Sequence, residues 1–188
     1  MEHRKPGKAE MAAATGKRLP DVIGPGLRVL LCGINPGLYS AAVGCHFARP
    51  GNRFWPALHQ AGITPHQFHP SEQGKLLPMG VGVTNIAGRA TARADELTVD
   101  ELRRGGNRLE AKVRLHRPAM LAILGVTAYR QAFHAPKARL GEQPDHRIGD
   151  TRVWVLPSPS GLNAHHQLDD LAELFREMWV AAGGKTSR

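Results

Sequence analysis

The sequence predicts an α/β fold: one three-layer α/β/α domain around a central, mainly parallel sheet. Three observations carry that prediction. Short, nearly continuous apolar runs recur along the chain and each stops at Gly or Pro, as strands buried on both faces do. Stretches with helical spacing lie between them, and such alternation is the pattern of a parallel sheet with crossover helices. A length of 188 residues with 41% hydrophobic content suits one core.

In chain order, residues 1–20 carry five Lys or Arg and two Glu and read as a disordered basic tail. The folded domain is expected over 21–183, with a second disordered tail at 184–188. Residues 28–34, Arg-Val-Leu-Leu-Cys-Gly-Ile, form the first predicted strand, ended by Pro36-Gly37. Asn52 is placed to cap a helix through Phe54, Trp55, Leu58 and Ala61. Residues 80–86 are a second, weaker strand. Thr98 and Glu101 have the spacing of a capping box, which predicts a helix to about His116, awkwardly interrupted by Gly105-Gly106. Residues 119–124 are a third strand, followed by a short helix through Tyr129 and Phe133. Residues 152–156 are a fourth, stopped by Pro157. Leu168, Leu171, Leu174, Phe175, Met178 and Trp179 share one face of a last helix.

Composition excludes several classes. No apolar stretch approaches the ~20 residues of a membrane span, and no apolar h-region follows the first residues. Cys32 and Cys45 supply neither a disulfide framework nor a thiolate set, and the ten His are scattered, so no metal and no other cofactor is expected. The net charge of +9, of which +6 lies outside the tail, favours a polyanionic partner, most simply nucleic acid. Aromatic content of 5% argues against an extended stacking platform for single strands.

Ligands of open parallel sheets bind outside the carboxyl ends of the strands. That rule brings three loops to one rim: 35–50, 87–97 and 157–166. The first and last are rich in Gly, Pro and short polar side chains, which let backbone N–H groups approach an anion or a base edge. Ordinary turns have the same composition. Arg49 and Arg53 flank the first loop, where they either meet DNA phosphates or are solvated.

Gly33-Ile34-Asn35-Pro36-Gly37, the following Asn52-Arg53-Phe54-Trp55, and Pro159-Ser160-Gly161-Leu162 after the final strand resemble the mismatch-specific branch of the uracil DNA glycosylase superfamily. The similarity runs from about Leu27 to about Val180. It implies a monofunctional hydrolase of N-glycosyl bonds that excises uracil and other mispaired pyrimidines from double-stranded DNA. The implied partner is a duplex with a G·U or related mismatch, met by a monomer in the bacterial cytosol. Asn35 would hold the attacking water. Ile34, Gly37 and Ser158 would line the base pocket, Phe47 would stack on the base, and Ser40 would help hold a phosphate. Ser160, Gly161, Leu162 and Asn163 would form the wedge loop that fills the vacated place in the duplex.

The fast uracil-specific members have Asp-Pro-Tyr and His-Pro-Ser where this chain has Asn35-Pro36-Gly37 and Ser158-Pro159-Ser160. An amide orients water but does not deprotonate it, so a slow enzyme is expected. Gly37 predicts a pocket wide enough for 5-substituted pyrimidines. Asp95 is a candidate for the missing general base; its alternative reading is the acidic start of the next helix. Ala164, before His165-His166, departs from an Arg of the nearest relatives, and Asn85 stands where a Lys is expected. Two other functions fit the residues alone: a nucleotide or phosphate-ester hydrolase, and a non-catalytic lesion-binding protein.

Overall fold

A computed structural model of the chain describes residues 5–186. Five strands, β1 (Val29–Gly33), β2 (Val81–Asn85), β3 (Met120–Leu124), β4 (Gly141–Ile148) and β5 (Thr151–Leu156), form one sheet in the order β2-β1-β3-β5-β4. All neighbours are parallel except β4, which runs antiparallel to β5. The α/β prediction therefore holds, with helices on both faces of the sheet.

Alternation along the strands divides the core. Val29, Leu31, Met120, Ala122 and Leu124 point to one face. There they meet Phe54, Trp55 and Leu58 of α3 (Phe54–Gln60) and Phe175, Met178 and Trp179 of α6 (Leu168–Ala181). Leu30, Cys32, Leu121, Ile123, Val153 and Val155 point to the other. They pack on Leu102, Leu109 and Val113 of α4 (Val99–His116) and on Ala128, Tyr129 and Ala132 of α5 (Val126–Ala132). Every residue of β1 and β3 is buried, and each large side chain so buried stabilises the fold by about 1.5–3 kcal/mol.

Thr98 caps α4 as the spacing predicts: its Oγ1 accepts the Glu101 N–H at 3.1 Å, and Glu101 Oε2 accepts the Thr98 N–H at 2.9 Å. The glycine pair does not interrupt α4. A Cβ on Gly105 would stand 2.5 Å from the Ile86 carbonyl oxygen, and one on Gly106 2.9 Å from that of Ala132. The glycines let α4 lie directly against the end of β2 and against α5.

Three features depart from the sequence reading. β4, which is polar and contains Pro144, falls in a stretch for which the sequence predicts no element. As an edge strand with one neighbour and a register shift between Glu142 and Arg147, it tolerates both. A 3₁₀ segment, Pro70–Met79, precedes β2 and was not anticipated.

The third is the amino-terminal segment. Residues 5–20, expected in a disordered tail, carry α1 (Lys8–Ala13) and then run along the sheet edge. Ala14, Leu19 and Val22 are buried. Gly16 N–H donates to Ala90 O at 2.9 Å, Ala90 N–H to Lys17 O at 2.8 Å, and Val22 exchanges two backbone bonds with Val83. Charge counting sees none of this pairing. Residues 1–4 lie outside the described residues. At the other end, Gly184 and Lys185 fold back on Trp179 through two hydrogen bonds, and 187–188 lie outside the described residues.

Candidate active site

The carboxyl ends of β1, β2, β3 and β5 open into a cavity of about 790 Å³. All three predicted rim loops reach it. Ile34, Asn35, Gly37, Ser40, Phe47 and Arg49 line it from the first loop and from α2 (Leu38–Val43), which that loop contains. Thr91, Arg93 and Asp95 come from the second, and Ser158, Ser160 and Leu162 from the third.

Asn35 lies two residues beyond the end of β1. Its Nδ2 donates to Thr91 Oγ1 at 2.7 Å and to Arg89 O at 3.0 Å, with a longer contact to Pro36 O at 3.2 Å. Both amide hydrogens are thus committed to protein, and Oδ1 is the atom left to accept a hydrogen bond from a molecule in the cavity. Thr91, 2% exposed, donates its own hydroxyl proton to Arg93 O at 2.7 Å. The second loop is in turn anchored by the Arg89 guanidinium on Glu101, at 2.5 and 3.0 Å. That ion pair and the Thr98 N–H hold the Glu101 carboxyl down at about 2. Thr91 belongs to the loop that the sequence places at the rim, but nothing in its identity marked it as the partner of Asn35.

Phe47 has φ 53°, a left-handed conformation that an aromatic residue seldom adopts. One face of its ring stacks on the buried Phe54, with centroids 4.0 Å apart and planes 19° apart. The half-buried ring also lines the cavity. Gly33 makes this arrangement possible, since a Cβ there would stand 2.5 Å from Asn85 Oδ1 and 3.1 Å from Phe47 Cζ.

Behind Phe47, His46 is 2% exposed and burial pushes its imidazole below the ordinary value. Nε2–H donates to Pro20 O at 2.9 Å, which leaves Nδ1 to accept from Asn85 Nδ2 at 3.4 Å. His46, Leu19 and Asn85 all line the cavity. The sequence reading had named neither His46 nor Leu19 as a wall residue. Leu19 lies in a segment whose composition reads as a tail.

Ser40 is 5% exposed and its Oγ accepts the Ala48 N–H at 3.1 Å. Gly37 opens onto space: a Cβ built there meets nothing within 4 Å. Asp95 is two-thirds exposed at the mouth. Its two oxygens are gripped by the Arg93 guanidinium at 2.6 and 3.1 Å. It sits in a 3₁₀ turn, Ala94–Glu96, rather than at the start of α4.

In the third loop Leu162 stands 78% exposed, and its neighbours are folded into local bonds. Asn163 Nδ2 donates to Ser158 O at 3.0 Å, Leu162 N–H to Ser160 Oγ at 3.3 Å and Asn163 N–H to Ser160 O at 2.9 Å. Gly161 passes so close to Gly51 that a Cβ would lie 2.8 Å from the Gly51 carbonyl oxygen.

Of the two flanking arginines, Arg49 is exposed on the cavity wall with no carboxylate partner among the described residues. Arg53, expected either to meet a phosphate or to be solvated, bonds instead to backbone of the third loop. Its guanidinium donates to the carbonyl oxygens of Ser160 (2.6 Å), Asn163 (2.7 Å) and His166, so these N–H groups are engaged by the protein itself.

A family model described as the uracil DNA glycosylase superfamily matches residues 20–182. The chain belongs to the uracil DNA glycosylase superfamily. Among solved structures, it is similar to a candidate uracil DNA glycosylase from Methanosarcina acetivorans, determined by solution NMR. The identity is 19%, the TM-score 0.60, and the match covers 87% of this chain and 98% of the other. That likeness concerns the fold. Superfamily membership supports a uracil DNA glycosylase function in base-excision repair, and it agrees with a pocket built at the carboxyl ends of the strands.

Proposed function

We propose that the protein is a monofunctional, mismatch-specific glycosylase that hydrolyses the N-glycosyl bond of uracil, and of other mispaired pyrimidines, in double-stranded DNA. The observation that carries this reading is the pinned amide of Asn35. Its NH₂ is held by Thr91 and Arg89, and its Oδ1 is left for a water in a cavity large enough for a base.

The target bond is inaccessible in a stacked duplex, so the nucleotide must leave the stack, at a cost of a few kcal/mol. Leu162, apolar and bare at the loop tip, is suited to fill the place it vacates. The free face of Phe47 receives the base, and stacking of this kind is worth about 1–3 kcal/mol. Arg49 and the hydroxyl proton of Ser40 would meet the backbone phosphates. Asn35 orients water toward C1′. The bond from C1′ to the base nitrogen breaks with its electron pair on the base. The water oxygen bonds to C1′, and its proton ends on the expelled base.

Asn35 cannot take that proton in the transition state. Asp95, proposed from sequence as the base, has both oxygens tied to Arg93 and would act only after releasing it. The reading therefore rests on Asn35 with a departing anionic base, and the enzyme is slow. The open space at Gly37 supports admission of 5-substituted pyrimidines.

The test is excision from labelled G·U, G·T and A·U duplexes in EDTA, followed by alkali. Cleavage at uracil in G·U, with a lower rate on G·T, is expected. Salt-dependent binding without cleavage would contradict the reading and leave a lesion-binding protein.

A further inference from the structure

We propose that Arg53 is a positioning residue for base extrusion: it couples the loop that receives the base to the loop that wedges the duplex, and makes no phosphate contact. The inference rests on the glycosylase reading above.

The wedge loop, residues 158–166, is stabilised internally by short-range bonds of the Ser158, Ser160 and Asn163 side chains. Among the described residues, its hydrogen bonds to the rest of the protein converge on one residue. Arg53 N–H donates to Pro159 O at 2.9 Å. Its guanidinium donates to Ser160 O, Asn163 O and His166 O, which spans the loop from before Leu162 to beyond it. Nε of Arg53 is buried and finds no acceptor among the described residues, although the residue as a whole is half-buried.

The other end of Arg53 is fixed by the first rim loop. Arg53 stands at the start of α3, next to Asn52, whose Oδ1 accepts the Phe54 N–H at 2.9 Å. Phe54 is the ring on which Phe47 stacks. One guanidinium thus joins the stacking surface for the base to the loop that carries Leu162. A planar fork bonds three carbonyls at fixed angles, whereas a lysine ammonium on a flexible stem does not. A loop that entered the duplex unanchored would lose ordering entropy at the moment of extrusion.

Single-turnover excision from a G·U duplex tests this in a double-mutant cycle of Arg53→Lys with Leu162→Ala. Arg53→Met serves as a second variant, and thermal melting confirms that each protein is folded. In the wild-type background Arg53→Lys is expected to slow excision about 10-fold to 100-fold. In the Leu162→Ala background the same change is expected to cost less than about 3-fold, because the wedge it positions is gone. Arg53→Met should leave the salt dependence of duplex binding unchanged, whereas loss of a phosphate contact would lower the slope by about 1. Equal losses in both backgrounds, or a lowered salt slope, would overturn the proposal.

If the wild-type protein excises nothing, the glycosylase reading fails and the clamp is judged separately by hydrogen exchange. Amides of 158–166 should then exchange faster in Arg53→Lys than in wild type; unchanged protection would overturn the clamp too.

Discussion

The two ends of the cavity are built on opposite principles. At the Asn35 end, polar side chains are held by other polar groups of the protein. Thr91 and the Arg89 carbonyl fix the amide, and Glu101 fixes Arg89 from the cap of α4. At the Leu162 end, an apolar side chain stands in solvent on a loop with mostly local bonds. The difference matches two tasks. A group that orients water must not reorganise during the reaction. A wedge must meet a partner that is absent until DNA arrives, so its exposure is unavoidable and its order must come from behind.

Substitutions at each end should therefore fail differently. Asn35→Ala is expected to have the largest effect, lowering single-turnover excision on the order of 10²-fold to 10³-fold with duplex affinity retained. Leu162→Ala comes next, at about 10-fold to 100-fold on a paired substrate. Its loss should shrink when the uracil faces an abasic site, since less pairing must be broken. An equal loss on both duplexes would place Leu162 outside the wedge.

Thr91→Val, which removes the acceptor for Asn35 but keeps the shape, is expected to cost about 10-fold in the excision rate, with little change in KM. Asp95→Ala should change the rate by less than about 3-fold, as expected of an exposed ion pair. A larger fall would restore Asp95 as the general base.

Acid separates the two ends as well. The Glu101 carboxyl sits far below its ordinary value, first because of Arg89 and then because of the Thr98 N–H. A depressed folded-state value stabilises the protein above the unfolded value, about 4.3, and that contribution disappears as pH falls toward 2. Glu101→Gln should thus lower the melting temperature at pH 7, with the gap to wild type closing below about pH 4. A gap independent of pH would show that the carboxylate charge is not what anchors the second loop.

Much of this arrangement was legible in the sequence. Buried parallel strands announce themselves as apolar runs, and their carboxyl ends identify the three rim loops. The Thr98 capping box set the start of α4. What was illegible depends on partners distant in sequence. β4 is polar because an edge strand needs only one neighbour. The segment around Leu19 looks like a tail until its backbone pairs with Ala90 and Val83. Arg53 looks like a phosphate ligand because its carbonyl acceptors lie more than 100 residues away. Gly105 and Gly106 weaken a helix in isolation, and only the approach of Ile86 and Ala132 explains them.

In the proposed reaction the pinned Asn35 amide directs water to a flipped nucleotide. The most direct measurement is single-turnover excision of uracil from a G·U duplex in EDTA by wild type and Asn35→Ala, with binding to an abasic-site duplex followed in parallel. Slow cleavage by wild type is expected, with a loss on the order of 10²-fold or more in the variant and equal affinity of both for the abasic duplex. Undiminished cleavage by Asn35→Ala, or no cleavage by wild type, would contradict the proposed reaction.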